Sequence, residues 1–300
     1  MIWFNHILCP IDFSDASAHA IDHAVAIARW YDGRITAVHV LDRWFGYEPP
    51  ILFAEPGGLK ALPATREAVA LMLDSCLQPA ARAQVSYDTR IEQGATADCL
   101  LECARGISAD LIVIGTHGRS GFERFLLGSV TEKVLRKANC PVLTVPPRAA
   151  TTSFLPFAHV LCAIDFSEPS LQALQVALSI SKESDAQLTA LHVIDWRDDD
   201  MFLAETINAP DVRLRSEARA LQRLDALIPD DARMWCRPSV KVSVGAAYRQ
   251  IVSEAADMSA DLIVIGVRGR NALDLALLGS TTNQVVRRAS CPVLTIREKT

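Results

Sequence analysis

Glycines and serines at a repeated spacing are the residues of this sequence best suited to bind a ligand. One set comprises Gly115, Gly118 and Gly128-Ser129, and it returns 151 residues later as Gly266, Gly269 and Gly279-Ser280. In each set the first glycine ends a short apolar run, and the Gly-Ser pair precedes a segment of helical character. Glycine lets a backbone approach a ligand closely, and a helix N-terminus offers unpaired N–H groups to an anion. The duplicated pattern therefore predicts two phosphate-binding sites.

Neither set has the features of two common phosphate-binding motifs. No lysine follows Gly128 or Gly279, so neither is a Walker A loop, and the third glycine comes too late for a dinucleotide fingerprint. A loop that returns to Gly-Ser at a helix start would wrap around a polyphosphate. The N–H groups of residues 128–130, the Ser129 hydroxyl and the helix dipole would hold the phosphates, with Arg119 and Arg270 as the nearby cations. The alternative for each Gly-Ser pair alone is a simple helix cap.

Polar residues at the ends of the first and second predicted strands are further candidates. Asp12 and Asp165 are placed to accept from an adenine amine or a ribose hydroxyl, or to cap the following helix. We expect the rings of His39 and His192 to make local hydrogen bonds rather than to bind metal. No arrangement of a catalytic triad or a metal site is evident, so we predict no catalytic residue and no metal ligand.

Alternating strands and helices must position these residues. In the first repeat, strands that we expect to be nearly continuous in apolar or β-branched residues are predicted near 6–12, 34–41, 85–91, 111–115 and 142–145. Helices are predicted between them, which indicates a parallel α/β sheet. The pattern predicts one domain over 1–147, a proline-containing linker over 148–157 and a second domain over 158–300.

Three further segments lead to expectations. An apolar stripe on a predicted helix of the second repeat is expected to be core: Leu214, Ala218, Leu221, Leu224 and Ile228. Residues 43–60 and 196–210 follow the second strand of each repeat, and we expect surface loops there, or alternatively a lid or a partner-binding surface.

Composition narrows the functional classes. The net charge of −5 and the pI near 5.8 argue against nucleic-acid binding, and no apolar run is long enough to span a bilayer. The N-terminus has no basic leader, so no signal peptide is predicted. The eight cysteines are expected to be reduced thiols of a cytoplasmic protein.

Together these motifs resemble the universal stress protein family. The resemblance rests on the glycine pattern, the first-strand aspartate, the His-Val pair in the second strand and the closing Cys140-Pro141-Val142-Leu143-Thr144, all of them duplicated. It implies two tandem Rossmann-like domains of the adenine nucleotide alpha hydrolase-like type. Each would be a five-stranded parallel sheet of order 3-2-1-4-5 flanked by helices, and each would bind ATP, with Mg²⁺.

The resemblance also assigns roles by position. Adenosine would contact Pro10, Asp12 and Val40, the ribose Ile114, Gly115 and Gly118, and the phosphates Arg119, Gly128, Ser129 and Val130. The matching set in the second repeat is Ala163, Asp165, Val193, Ile265, Gly266, Gly269, Arg270, Gly279, Ser280 and Thr281. Pro10 has become Ala163 and Gly121 has become Ala272, and the loss of that glycine stiffens the second loop.

Three functional hypotheses remain at this point. The first is an ATP-binding stress-response protein in which nucleotide controls conformation or the choice of an unknown protein partner. The second is a slow ATPase of the same architecture, and the third is an interaction scaffold with structural nucleotide. The resemblance further implies an intrachain pseudo-dimer of the two repeats through Val142–Val145 and Val293–Ile296, and the whole chain is a candidate homodimer.

Overall fold

The protein is seen in a computed structural model that describes residues 4–41, 51–55, 58–62, 66–117, 127–147, 149, 157–195, 209–236, 238–267 and 278–297. Apart from its first two residues, the chain divides into two compact units, Trp3–Leu155 and Pro156–Thr300. Within the described residues no helix is long and apolar enough to cross a membrane.

The first unit consists of alternating strands and helices. They are β1 (His6–Pro10), α1 (Asp15–Trp30), β2 (Arg34–Leu41), β3 (Ile51–Glu55), β4 (Gly58–Leu62), α2 (Arg66–Cys76), α3 (Gln78–Arg82), β5 (Ser86–Gln93), α4 (Thr96–Gly106), β6 (Leu111–Gly115), α5 (Ser129–Lys137) and β7 (Val142–Val145). The main sheet has the order β5-β2-β1-β6-β7, and all four strand pairs are parallel.

The second unit repeats this arrangement. It contains β8 (His159–Ile164), α6 (Glu168–Ser184), β9 (Gln187–Ile194), α7 (Ala209–Asp225), α8 (Ala232–Trp235), β10 (Ser239–Val244), α9 (Ala247–Asp257), β11 (Leu262–Gly266), α10 (Ser280–Arg288) and β12 (Val293–Ile296). Its strands run in the order β10-β9-β8-β11-β12, again all parallel. Counted along the main-sheet strands of each unit, both orders are 3-2-1-4-5, as the resemblance implies.

The central strands form the core of each unit because helices cover both faces of a parallel sheet. Every residue of β6 and of β11 is buried, which explains their unbroken Leu-Ile-Val-Ile-Gly sequences. The outermost strand β5 differs, since its residues largely alternate between half-buried and exposed and its sequence is mostly polar. The expectation of a nearly continuous apolar strand near 85–91 was therefore wrong.

The predicted core stripe on α7 is only partly buried. Leu224 is fully buried and Ile228, just beyond the helix, is nearly so, but Leu214 and Leu221 are 63% and 42% exposed and Ala218 is also exposed. The prediction was wrong for these three residues. Helical periodicity identifies an apolar face, but whether that face is covered depends on the elements that pack against it.

The segment over 43–60 is in part an antiparallel hairpin, because β3 pairs with β4 from Ile51↔Leu62 to Glu55↔Gly58. Its remaining residues, 43–50, 56 and 57, lie outside the described residues, as do 196–208 of the corresponding segment in the second unit. The expected lid or partner-binding surface on these segments remains a prediction.

Candidate functional site

The candidate site lies where β1 and β6 run side by side and the chain leaves the sheet in opposite directions. Ile7 pairs with Leu111 and Leu8 with Ile112, so the two strands end together. From β1 the chain passes through α1 to β2 on one side, whereas β6 continues to β7 on the other. Ligands of open α/β sheets bind at such a reversal, outside the carboxyl ends of the strands. In the second unit β8 and β11 form the same junction.

A tight turn at Asp12-Phe13-Ser14 links β1 to α1. The Ser14 N–H donates to Asp12 Oδ1 at 3.0 Å, and the Ser14 hydroxyl donates to the same oxygen. Ser14 is in turn the N-cap of α1, and its hydroxyl oxygen accepts from the Ser17 N–H at 3.2 Å. The capping role therefore falls to Ser14, and Asp12 holds Ser14 in place. Contact of Asp12 with a ligand remains a prediction.

Phe13 adopts a left-handed backbone with φ of +62°, and Phe166 repeats it with φ of +63°. A bulky side chain in this region costs on the order of 1–3 kcal/mol and persists only where the surrounding structure maintains it. In both units the turn holds an aspartate at the end of the first strand, and the Ser167 N–H donates to Asp165 Oδ1 at 3.0 Å. The duplicated strain marks this turn as a candidate binding element.

The two histidines connect the ends of the first and second strands of each unit. His39 Nδ1–H donates to the Ile11 carbonyl at 2.7 Å, and its ring contacts the Phe13 ring in a tilted arrangement with centroids 4.7 Å apart. His192 makes the same hydrogen bond to the Ile164 carbonyl at 2.7 Å, and its ring contacts the Phe166 ring in a tilted arrangement at 4.6 Å between centroids. The predicted local hydrogen bonds are confirmed, and the contact between the histidine and phenylalanine rings supports the strained turn.

The first glycine of each motif serves the packing of the fold. A Cβ added to Gly115 would come within 3.0 Å of backbone atoms of Ala16, in the first turn of α1. A Cβ on Gly266 would meet the backbone of Pro169 and Ser170 at 3.0 Å. The N-terminus of α1, or of α6, thus packs directly on the end of the fourth main-sheet strand, at a distance that only glycine allows.

The third glycine of each motif is not required by its own backbone geometry. Gly128 and Gly279 are the N-caps of α5 and α10, and both have φ of −57°, which any residue can adopt. Among the described residues, the atom nearest to a Cβ on Gly128 would be the Thr116 carbonyl oxygen, at an ordinary 3.4 Å. The fold thus gives little reason for glycine at this position, whereas close approach of a ligand would give one.

Hydrogen bonds hold each Gly-Ser pair beside the strand end. The Gly128 N–H donates to the Thr116 carbonyl and the Gly279 N–H to the Val267 carbonyl, both at 2.9 Å. Thr131 Oγ1 donates to the Gly115 carbonyl and Thr282 Oγ1 to the Gly266 carbonyl, both at 2.8 Å. The Gly128 and Gly279 N–H groups are therefore used within the fold, contrary to the expectation that they hold phosphates.

The next donors along each helix remain suited to an anion. Among the residues that the structure describes, no acceptor takes the N–H of Ser129 or Val130, and no side chain caps α5. The same holds for Ser280 and Thr281 at the start of α10. These N–H groups and the positive end of the helix dipole form the kind of cradle that binds phosphate.

The structure brings most of the predicted residues to the two junctions. Asp12, Gly115, Gly128 and their counterparts lie there, whereas Gly118, Arg119, Gly269 and Arg270 lie outside the described residues. Val40 and Val193 are half-buried near the ends of β2 and β9, and Pro10 is half-buried where Ala163 is buried. Ile114 and Ile265 are both 5% exposed, so they can offer a ligand little more than backbone.

Several residues of the site were missed by sequence reasoning. Thr131 and Thr282 lock the helix start to the strand end, and Phe13 and Phe166 provide the strained turn. All four recur at equivalent positions of the two repeats, which was the available signal. Arg223 is a residue that the repeat could not reveal. Its guanidinium lies 3.9 Å from the centroid of the Phe166 ring, whereas the position 151 residues earlier is the buried Met72.

The two junctions also differ just after the strand. In the first unit Thr116 is buried, and its hydroxyl lies 2.9 Å from Nδ1 of His117. Burial lowers the pKa of His117, so the ring is neutral near pH 7. In the second unit Val267 replaces Thr116 and cannot make this hydrogen bond.

Comparisons with known proteins agree with this architecture. The model of the universal stress protein family matches residues 4–146 and 156–297. A universal stress protein of Mycobacterium tuberculosis (strain ATCC 25618 / H37Rv) is 28% identical over 271 residues, covering 88% of this chain and 87% of that protein. One of Methanocaldococcus jannaschii is 35% identical over 143 residues, 47% of this chain and 82% of the relative. A universal stress protein structure from Archaeoglobus fulgidus has a TM-score of 0.65 at 20% identity over 98% of both chains.

Proposed function

The chain belongs to the universal stress protein family as a tandem member with two family domains, and from this premise we propose that each repeat binds one ATP, with Mg²⁺. Bound nucleotide would then act as a regulatory signal that changes the conformation of the protein or its choice of partner in a stress response. The cytoplasm is the proposed location, in keeping with the eight unpaired cysteines.

The observation that carries the proposal is the start of α5 and its copy at the start of α10. The backbone geometry of Gly128 allows any residue, and the N–H groups that follow it have no acceptor within the described part of the chain. A polyphosphate can use the N–H donors because its oxygens accept hydrogen bonds. It also explains the glycine, because its bulk occupies the space that a side chain at this position would fill. The residues present thus fit the phosphates of a nucleotide.

The other end of the nucleotide would lie against the ends of the first and second strands. Asp12 and Asp165 present carboxylates, which accept hydrogen bonds from a ribose hydroxyl or an adenine amine. Each carboxylate is held in orientation by the serine two residues later. The half-buried Val40 and Val193 offer apolar surface for a base. One nucleotide would thereby extend from the strand ends to the helix start.

Regulation rather than rapid turnover is proposed because neither motif supplies a lysine of the Walker type or an evident general base. Mg²⁺, when bound with ATP, would neutralise phosphate charge. The roles of the chain itself are to bind, orient and retain the nucleotide. We expect turnover well below the ~10 s⁻¹ that is typical of enzymes. Turnover of several per second that is lost in Arg119→Ala, with ATP affinity intact, would favour an ATPase instead.

Calorimetric titration with Mg·ATP tests the two-site proposal. Two equivalents are expected for the natural protein, one each for Gly128→Val and Gly279→Val, and none for the double variant. Gly128→Ala is the matched control for folding, because its Cβ has room at 3.4 Å while adding less bulk toward the ligand. One equivalent in the natural protein, unchanged by Gly279→Val, would leave only the first repeat as a nucleotide site.

We further propose that the two repeats pair as an intrachain pseudo-dimer through β7 and β12. Each is the last strand in the sheet order of its own unit, and a terminal strand has backbone N–H and C=O groups that need a partner. Separately expressed halves are then expected to dimerise or to be less stable than the whole chain. Monomeric halves as stable as the whole chain would contradict this arrangement.

A further inference from the structure

Helices α9 and α10 of the second unit carry a group of tyrosine, arginine and glutamine residues that lie close together. Tyr248 and Arg249 belong to the first turn of α9, and Gln284 and Arg288 to α10. These four residues are called the Tyr248 patch. Arg249 Nε donates to the Tyr248 hydroxyl at 3.0 Å, and the Arg249 and Arg288 guanidinium carbons lie 5.8 Å and 5.1 Å from the Tyr248 ring centroid.

No residue that the structure describes balances the positive charge of the patch. Arg288 donates to Gln284, a neutral acceptor, and no carboxylate in the described parts of the chain lies within ion-pair distance of Arg249 or Arg288. α10 contains no acidic residue. On α9 the only acids are Glu254, which pairs with Lys241 at 2.6 Å, and Asp257 in the last turn.

The first unit shows what the same positions hold when the charge is balanced. Asp98 corresponds to Arg249, and Lys133 and Lys137 correspond to Gln284 and Arg288. The Asp98 carboxylate lies 2.7 Å from Lys133 Nζ and 3.9 Å from Lys137 Nζ, so one carboxylate bridges two cations between α4 and α5. In the second unit a cation stands where the acid was, and no described residue supplies the carboxylate in its place.

We propose that the Tyr248 patch is a docking surface for an acidic segment of a partner protein, whose aspartate or glutamate carboxylates bind Arg249 and Arg288 beside the Tyr248 ring. Tyrosine and arginine are, with tryptophan, the residue types enriched at energetically important interface positions. Arginine binds carboxylates through a planar set of N–H donors, and the tyrosine ring supplies rigid apolar contact.

Nucleic acid is a less suitable occupant. Stable binding to nucleic acid takes several phosphate contacts and a basic footprint, whereas this patch holds two cations on a chain of net charge −5. An acidic peptide segment needs only a few charge-assisted hydrogen bonds together with one aromatic contact. The inference does not depend on nucleotide binding by either repeat.

A hexaglutamate peptide is a direct probe of the patch. The protein, with Mg·ATP present at saturation so that other anion sites are filled, would carry ¹⁵N-labelled arginine for NMR observation of the Nε–H groups. We expect the Arg249 and Arg288 signals to shift in a saturable, salt-sensitive way. Arg249→Asp restores the residue type that the first unit has at this position. It should lower the affinity for the peptide at least about tenfold, because an attraction becomes a repulsion.

The matched control is Arg105→Asp, which changes the chain charge equally at an exposed position of α4. The affinity of Arg105→Asp for the peptide should equal that of the natural protein. Arg288→Gln is a second patch variant, which should weaken peptide binding even if Arg249→Asp disturbs folding. Equal loss in Arg105→Asp, no loss in Arg249→Asp or Arg288→Gln, or unshifted patch signals would each overturn the proposal. Tighter binding at these signals by a single-stranded oligonucleotide would overturn it in favour of nucleic acid.

Discussion

The two repeats share their site geometry and differ in what surrounds it. Three hydrogen bonds have the same length in both units. The bond from the histidine ring to the main-chain carbonyl is 2.7 Å, the bond from the threonine hydroxyl to the carbonyl of the first glycine is 2.8 Å, and the bond from the N–H of the third glycine is 2.9 Å. By contrast, Arg223 covers the Phe166 ring in the second unit, and the Tyr248 patch replaces the Asp98 ion pairs of the first.

This contrast separates two kinds of constraint. Contacts that hold strand ends and helix starts at fixed distances are identical in the two units, as the proposal that both junctions bind the same ligand requires. Positions that only cover or surround the junction vary, so they can give each repeat its own affinity and its own partner. Substitution at a shared contact should therefore be costly in either repeat, whereas substitution at a differing position should affect one repeat alone.

The largest expected effect is at the first glycine of each motif. Gly115→Ala and Gly266→Ala each place a Cβ about 3.0 Å from the backbone of the packed helix, and such overpacking typically costs about 1–3 kcal/mol of unfolding free energy. Gly128→Ala should change the unfolding free energy by less than about 1 kcal/mol, because its φ of −57° and its surroundings accept a Cβ. Urea unfolding measures both, and equal costs at Gly115 and Gly128 would contradict the assigned roles.

Next in size is a difference in acid stability. Burial lowers the pKa of His6, His23 and His117, and all three belong to the first unit. As the pH falls below the ordinary histidine value of 6.5, the unfolded chain takes up protons that the folded unit resists, so the first unit loses stability. Above that pH this contribution is fully present.

Hydrogen exchange in dilute urea, read for each unit and corrected for intrinsic rates, measures this loss between about pH 7.5 and 5.5, on either side of the ordinary histidine pKa. The variant His23→Val introduces the residue type that the second unit has at the matching position, Val176, and should reduce the pH dependence of the first unit. If the second unit were the more acid-sensitive, or if His23→Val left the pH dependence unchanged, the explanation from buried histidines would be wrong.

The smallest effect concerns Arg223. An exposed cation–π contact is worth about 0.5–1 kcal/mol, so Arg223→Met should lower the unfolding free energy of the second unit by no more than that. Loss of the guanidinium over the Phe166 ring should also lower the affinity of the second repeat for ATP by a few fold, while the affinity of the first repeat stays unchanged. Arg219→Met, at an exposed position one turn earlier, is the control, and an equal effect there would argue against a specific role.

Much of the fold was predictable because its signals are local. Unbroken apolar runs identified the central strands, and the duplicated motifs at the strand exits identified the two junctions. The prediction failed where exposure depends on distant neighbours, as for β5 at the end of the sheet order and for Leu214 and Leu221 on α7. A single-strand or single-helix pattern contains no information about what lies across from it.

The sequence by itself determined that there are two repeats, which residues end their strands, and where a helix start meets a glycine. It did not determine what each glycine is for. Only the tertiary structure decided that Gly115 is needed by the packing of α1, that the Gly128 N–H is already bonded to the Thr116 carbonyl, and that Arg223 reaches Phe166. The physical reason is that these contacts join residues far apart in the chain, whose meeting is set by strand order and helix packing rather than by local pattern.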